Sequence, residues 1–207
     1  DYKLHSDGRF IDKSADRFER EPIDDSELLE EQKKIKAKFE NQMHYYLSLR
    51  PERIPYNNSQ AIQLPGVLEF EAYDLGMPND TYYDTSKGNS GGGFWRKEDV
   101  DILSKRGRYF ITDTEADEWL EYSIQTKQAG EFSMTIKYSA ISDGAIHFEI
   151  GGKPITPSIV LPQTLSEKTT SLSLFETLSL PKGNHIIRLV IDRGNMNLDS
   201  LFVRQKK

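Results

Sequence analysis

The sequence predicts an all-β fold, an antiparallel two-sheet β-sandwich of jelly-roll type, with an N-terminal hairpin and helix in front of it. Three observations carry this. From Gly66 onward apolar residues recur with a period of two: Phe132, Met134, Ile136 and Tyr138, then Ile146, Phe148 and Ile150, then Ile187, Leu189 and Ile191. That is the period of a strand with one face in a core. Turn signals at Ser142-Asp143-Gly144, Gly151-Gly152 and Pro181-Lys182-Gly183 separate these runs at the spacing of a sandwich. Residues 1–50 have a different character, with helical spacing in their second half.

In order along the chain, Tyr2-Lys3-Leu4 and Arg9-Phe10-Ile11 flank Ser6-Asp7-Gly8, and Asp-Gly between two such runs is a hairpin signal. After a polar stretch to Pro22, Asp24 or Asp25 caps a predicted helix, with Glu27 at capping-box spacing from Asp24. Leu28, Ile35, Phe39, Met43 and Tyr46 line one face of this helix to about Leu49, and Pro51 stops it. The face fits docking on a neighbouring domain. Residues 51–63 read as a linker, with Pro51, Pro55 and Asn57-Asn58-Ser59-Gln60 and little periodicity. Residues 64–207 carry the sandwich.

Composition narrows the function. The 207 residues are 36% hydrophobic and carry a net charge of −6 with no basic block, which argues against nucleic acid as a partner. There are no cysteines, which excludes disulfides and thiolate-bound zinc. No apolar run approaches a membrane span, so no membrane partner is expected. The chain starts at Asp1 without a signal peptide and reads as a portion of something longer.

Chemistry concentrates between Leu68 and Ile102, which reads LEFEAYD, YYDT, KGNSGGGFWR and DVDI. Two strand residues two apart face the same side, so Glu69 and Glu71 converge, and a jelly roll brings its first and last strands together, adding Asp199. Three such carboxylates either sit on a solvated face or surround a hard cation such as calcium, which takes oxygen ligands. Tyr82-Tyr83-Asp84-Thr85 offers an aromatic ring, and the apolar C–H face of a sugar stacks on such a ring; equally, one of the two tyrosines packs in the core, with Tyr83 the better candidate. Asn89-Ser90-Gly91-Gly92-Gly93 lacks the Lys-Ser/Thr ending and the helix of a phosphate loop and reads as a tight turn. His5, His44, His147 and His185 show no metal-ligand spacing, and no nucleophile stands beside a base.

Together with EWLEYSI (118–124), AGEFSMTIKYSA (129–140), LPKGNHIIRLVI (180–191) and NMNLDSLFV (195–203), residues 64–204 resemble the family 6 carbohydrate-binding modules, small β-sandwiches that bacteria attach to secreted polysaccharide-degrading enzymes. The resemblance implies a non-catalytic domain that targets an attached enzyme to its glycan, outside the bacterial cell. It implies that Glu69, Glu71 and Asp199 hold a structural calcium, and that Tyr82 stacks on the sugar. Asn197 would hydrogen-bond the sugar's hydroxyls, joined by Asn79 and Asp80 just upstream of Tyr82. Arg96 takes an arginine position common in that family. The second stacking aromatic of the family is missing from the 164–171 loop; either the sugar is held against Tyr82 alone, or Trp95 or Phe175 substitutes, or the cleft is degenerate. Lys168 in that loop would meet an anionic substituent on the glycan. Residues 1–50 resemble the C-terminal segment of the formylglycine-dependent sulfatases, with Asp16-Arg17 where Asp-Pro is usual, which implies a sulfated polysaccharide and a catalytic domain upstream. Two other readings stand beside this one: a calcium-stabilised structural module that binds no glycan, and a chain that is itself an enzyme.

Overall fold

The computed structural model describes residues 1–5, 8–49, 52–57, 59–92, 96–164 and 170–206, with the side chains at 47, 48, 175 and 176 left undescribed. Ser6 and Asp7 of the predicted turn, Pro51, Trp95, Lys168 and the Phe175 side chain therefore lie outside the described residues. The chain divides into two units, Asp1–Pro51 and Glu52–Lys207.

In the first unit β1 (Tyr2–Leu4) pairs antiparallel with β2 (Phe10–Asp12), Leu4 opposite Phe10. The Phe10 ring stacks on Tyr2 at 5.2 Å and meets Phe39 of helix α1 (Glu30–Ser48) at 6.5 Å. Asp24 does act as a cap, but of a short 3-10 turn, Asp25–Glu27, through a bond from the Ser26 N–H. The α-helix begins five residues after that turn's first residue, where the Gln32 side chain accepts from the Leu29 N–H. Leu28 is buried, Ile35, Phe39 and Met43 are half-buried, and Tyr46 is exposed. The apolar stripe therefore ends a turn earlier than its spacing predicts.

The second unit is the predicted sandwich. One sheet runs β11 (Lys153–Pro154), β10 (Gly144–Ile150), β14 (Gly183–Arg193), β8 (Trp119–Thr126), β3 (Ile62–Leu64), with β12 (Ile159–Leu161) also on β10 and β5 (Tyr82–Tyr83) also on β8. The other runs β13 (Thr170–Leu180), β9 (Gly130–Ala140), β15 (Met196–Gln205), β7 (Arg108–Ile111), β6 (Ile102–Lys105), with β4 (Gly66–Glu69) also on β15. All pairings are antiparallel except β3 with β8, which is parallel. The segment read as a linker is thus partly structural: Ile54 bridges Leu75, and Ile62–Leu64 supplies a strand of the first sheet.

The two-residue period works as expected. Phe132, Met134, Ile136 and Tyr138 of β9 point inward, as do Ile146 and Phe148 of β10 and Ile187, Leu189 and Ile191 of β14. Burying such side chains is the main favourable term in folding. In β15 the register against β9 shifts between Leu198 and Ser200, so Asp199 is an extra residue, a bulge.

Arg96 ties the loops to this core. Its guanidinium is almost fully buried and lies 3.4 Å from the Tyr73 ring centroid and 5.0 Å from that of Tyr56. It donates to the carbonyls of Tyr73, Asp74 and Glu71 and to the Glu98 carboxylate at 2.8 Å. Although burial raises the Glu98 pKa, the hydrogen bond and charge of Arg96 outweigh it and hold that carboxyl below its usual range. A lysine has neither the planar fork nor the stacking face, so Arg96→Lys should lose about 3 kcal/mol and lower the melting temperature by roughly 6–12 °C. Thermal unfolding followed by circular dichroism checks this; an unchanged midpoint would remove Arg96 from its structural role.

Candidate functional site

The outer face of the β13–β6 sheet carries the cleft with the best-developed lining. The inward positions there are Ile102, Ile111, Tyr138 and Leu198. Their neighbours point the other way: Leu103 lies opposite Phe110, and Asn197 opposite Ser139. These four residues, with Lys105, Thr112, Asp113, Thr114, Glu115, Ile141, Asn195 and Met196, line a cavity of about 450 Å³, a size within the range of small-ligand sites.

Asn197 lies at the junction of three strands. Its Oδ1 accepts from Thr112 Oγ1 at 2.7 Å and its Nδ2 donates to Ser139 Oγ at 3.1 Å. Those bonds fix the direction of the amide and use one donor and one acceptor; the second N–H and the second lone pair are left for a ligand. Leu103 and Phe110 supply the apolar floor, and Ile141, strongly exposed, stands at the rim. Asp113 and Glu115 bring two carboxylates. Asp113 accepts from Ser90 Oγ at 3.0 Å and Glu115 from Thr85 Oγ1 at 3.0 Å. Behind them Glu118 is buried, and accepts from Thr85 N–H, Thr85 Oγ1 and Glu115 N–H at 2.8–3.1 Å; burial pushes its pKa up. The Thr164 N–H donates to Ala140 O at 2.9 Å.

Of the described residues singled out in the sequence as sugar-binding, only Asn197 is part of this cleft. Asn79 and Asp80 line a separate cavity of about 360 Å³ with Arg53, Glu121, Gly151, Gly152, Ile186 and Arg188, on the outer face of the other sheet. Tyr82 is a core residue. It is 3% exposed, its ring meets Tyr73 edge-on at 5.6 Å, and burial raises its hydroxyl pKa. No ring face is open for stacking. The inward and outward roles of the pair are the reverse of those expected: Tyr83, opposite Trp119, is the half-buried member on the outer face. The residues that the sequence reading missed, Leu103 and Phe110, did leave a signal. Ile102-Leu103 and Phe110-Ile111 are adjacent apolar pairs in short strands, which means both faces of that hairpin carry apolar groups.

The three proposed cation ligands are near enough for Glu69 and Asp199 to act on the charge of Glu71, but Glu69 and Glu71 do not share a strand. β4 ends at Glu69, and Glu71 follows in a 3-10 turn, Phe70–Ala72. Asp199 occupies the bulge, is buried, and is paired with Arg108. Burial first, then the charges of Glu69 and Asp199, push Glu71 up to about 7; burial and Asp199 also raise Glu69. Glu71 Oε2 is buried with no hydrogen-bond partner. Among the described residues no three His, Asp or Glu side chains form a group able to hold a metal by themselves. The fit to a cation therefore rests on the orphaned oxygen and on the mutual repulsion of three acids.

The family model for the carbohydrate binding module (family 35) matches residues 96–203, just over half of the chain. The chain belongs to carbohydrate-binding module family 35. The family 6 resemblance is one of fold. The module from Clostridium stercorarium CsCBM6-3, solved with cellobiose, superposes with a TM-score of 0.55 at 20% identity, over 71% of this chain and 98% of that one. A family 6 module of Cellvibrio mixtus lichenase 5A, solved with cellotriose, gives 0.51 at 17% identity over 69% and 98%. A β-1,3-glucan-binding family 6 module of Bacillus halodurans gives 0.52 at 13% identity over 70% and 99%. No curated protein matches the chain. No helix among the described residues is long and apolar enough to cross a membrane.

Because its ring is in the core, Tyr82→Ala in this module should cost about 3 kcal/mol of stability through the cavity it leaves. A thermal melt checks this, and an unchanged midpoint would return Tyr82 to the surface.

Proposed function

We propose that this family 35 module binds carbohydrate without acting on it, and that the cleft around Asn197 holds the glycan. The carrying observation is the position of Asn197: an oriented amide with spare hydrogen-bonding capacity, set between an apolar floor and a polar rim. A sugar ring presents that combination in reverse, with C–H groups on its faces and hydroxyls around its edge. The module then acts by targeting. Weak, reversible binding raises the effective concentration of an attached secreted polysaccharide-active enzyme on its polymer. An attached sulfatase, and with it a sulfated glycan, rests on residues 1–50 alone; the two carboxylates on the cleft's rim lend it no support.

Affinity electrophoresis of the full chain against soluble β-glucans, xylan, agar-type polymers and carrageenan tests the binding. Retardation by a polymer should weaken about tenfold or more in Asn197→Ala, the loss of one or two hydrogen bonds in a desolvated site. No retardation by any polymer would favour the second reading, a structural module whose stacking site is degenerate; the burial of Tyr82 is the observation that favours it.

Glu69, Glu71 and Asp199 are further proposed to share a structural calcium, which would neutralise their repulsion and give Glu71 Oε2 a partner. Its work would be to fasten the turn after β4 to the bulge of β15. Millimolar calcium should then raise the melting temperature by several degrees relative to EDTA, about 1–3 kcal/mol, and Glu71→Gln should abolish most of that gain. Identical melting curves with calcium and with EDTA would exclude the site.

A further inference from the structure

We infer that the Asn197 cleft selects its glycan by charge, accepting neutral, hydroxyl-rich chains and rejecting chains that carry uronate carboxylates or sulfate esters. This rests on the glycan-binding role proposed above and names the substrate class of the same site.

The argument starts from which hydrogen-bonding groups the rim leaves over. Asp113 and Glu115 both line the cavity and both are exposed. Ser90 Oγ donates to Asp113 Oδ2 at 3.0 Å, and the single proton of Thr85 Oγ1 is shared between Glu118 Oε1 at 2.8 Å and Glu115 Oε2 at 3.0 Å. The two hydroxyls that could have donated to a ligand are therefore already spent on the rim's own acids. What remains facing the cavity there is carboxylate oxygen, an acceptor with no proton to give.

Among the described residues the charge is not cancelled locally. Neither Asp113 nor Glu115 makes an ion pair among the described residues. The layer behind them is acidic too: Glu118 is buried beneath Thr85, and Asp101, buried, lies beneath Ser90, whose N–H it accepts. Against these stands one cation in the described lining, Lys105.

A sugar hydroxyl can donate to such a rim and accept from Asn197 Nδ2 at the same time. A carboxylate or sulfate can only accept, so beside Asp113 and Glu115 it would find no donor and would meet like charge, with Lys105 the one cation in the described lining to offset it. Because Asp113 and Glu115 are exposed, that repulsion is screened by salt over a Debye length of about 10 Å at 0.1 M. The discrimination is therefore expected to be large at low ionic strength and small at high.

The test is affinity electrophoresis of the full chain on two sets of soluble polymers. The neutral set is β-1,3-glucan, mixed-linkage β-glucan, xylan and mannan. The charged set is the hexose polymers of that panel after oxidation of C6 to carboxylate, with a polygalacturonate and a carrageenan. A neutral polymer should bind about tenfold or more tightly than its oxidised counterpart at low salt, the gap closing several-fold near 0.5 M salt. In Asp113→Asn combined with Glu115→Gln the ratio of neutral to oxidised affinity should fall toward one, whatever happens to either affinity alone. The inference is overturned if an acidic polymer binds the unmodified chain as well as or better than every neutral one. It is also overturned if the low-salt ratio is insensitive to both salt and the double substitution. Either result leaves carbohydrate binding intact. Binding to no polymer of either set would instead remove the glycan-binding reading itself, and the inference with it.

Discussion

A buried guanidinium holds the sequence-distant pieces of the second unit in place. Arg96 joins the carbonyls of Glu71, Tyr73 and Asp74 to the Glu98 carboxylate and is flanked by the rings of Tyr73 and Tyr56. Desolvating a charge is costly unless its geometry is nearly complete, so the 71–74 segment has little freedom once Arg96 is seated. That fixes Asp74, whose buried carboxylate in turn accepts from Ser123 N–H and Oγ and from Arg53. It also fixes the turn that carries Glu71 to the bulge of β15. Two further features, the parallel β3 strand and the bridge of Ile54 to Leu75, lie on chain that this network binds to the sandwich.

The architecture was legible because it depends on a collective pattern. Three or four alternating residues in each of β9, β10 and β14 cannot be misread by one position without inverting every face, and the core confirms their phase. The site was much less legible, because it depends on single residues in short elements. β5 has only two residues, Tyr82 and Tyr83, and alternation over two positions carries no phase. Which ring faces inward is set by Tyr73 and the sequence-distant Leu120, both outside the strand itself. Glu69 and Glu71 failed as a strand pair for a related reason: β4 ends between them, and the 3-10 turn that follows brings Glu71 in by a different route. Asn197 sits in a long strand, and its pairing partners fix the face it occupies.

The family match and the cleft bear on different questions. Membership of family 35 fixes the class of domain, while the solved family 6 relatives, at 20% identity and below, share only the scaffold. What the cleft would recognise has to come from its own lining. Leu103, Phe110 and Asn197 give it a floor that suits a pyranose ring, and the acids at 113 and 115 give it a sign. Both halves are carried by outward-facing positions of strands whose inward positions are committed to the core, so the recognition surface can vary while the fold stays the same.

The extra residue in β15 has one more consequence. Counting back from the C-terminus, Val203 and Leu201 face the core opposite Met134 and Ile136, while Phe202 and Ser200 face out. Continued without interruption, that beat would turn Leu198 to solvent and Asn197 into the hydrocarbon. Asp199 adds one step, and the strand resumes in the opposite phase, with Leu198 inside and Asn197 in the cleft. The strand is thus two reading frames joined at a single residue, one on each side of Asp199. Drawn into regular pairing, Asp199 would move an amide into the core and two aliphatic side chains out of it, whereas its deletion would close the bulge and leave every other residue on its present face.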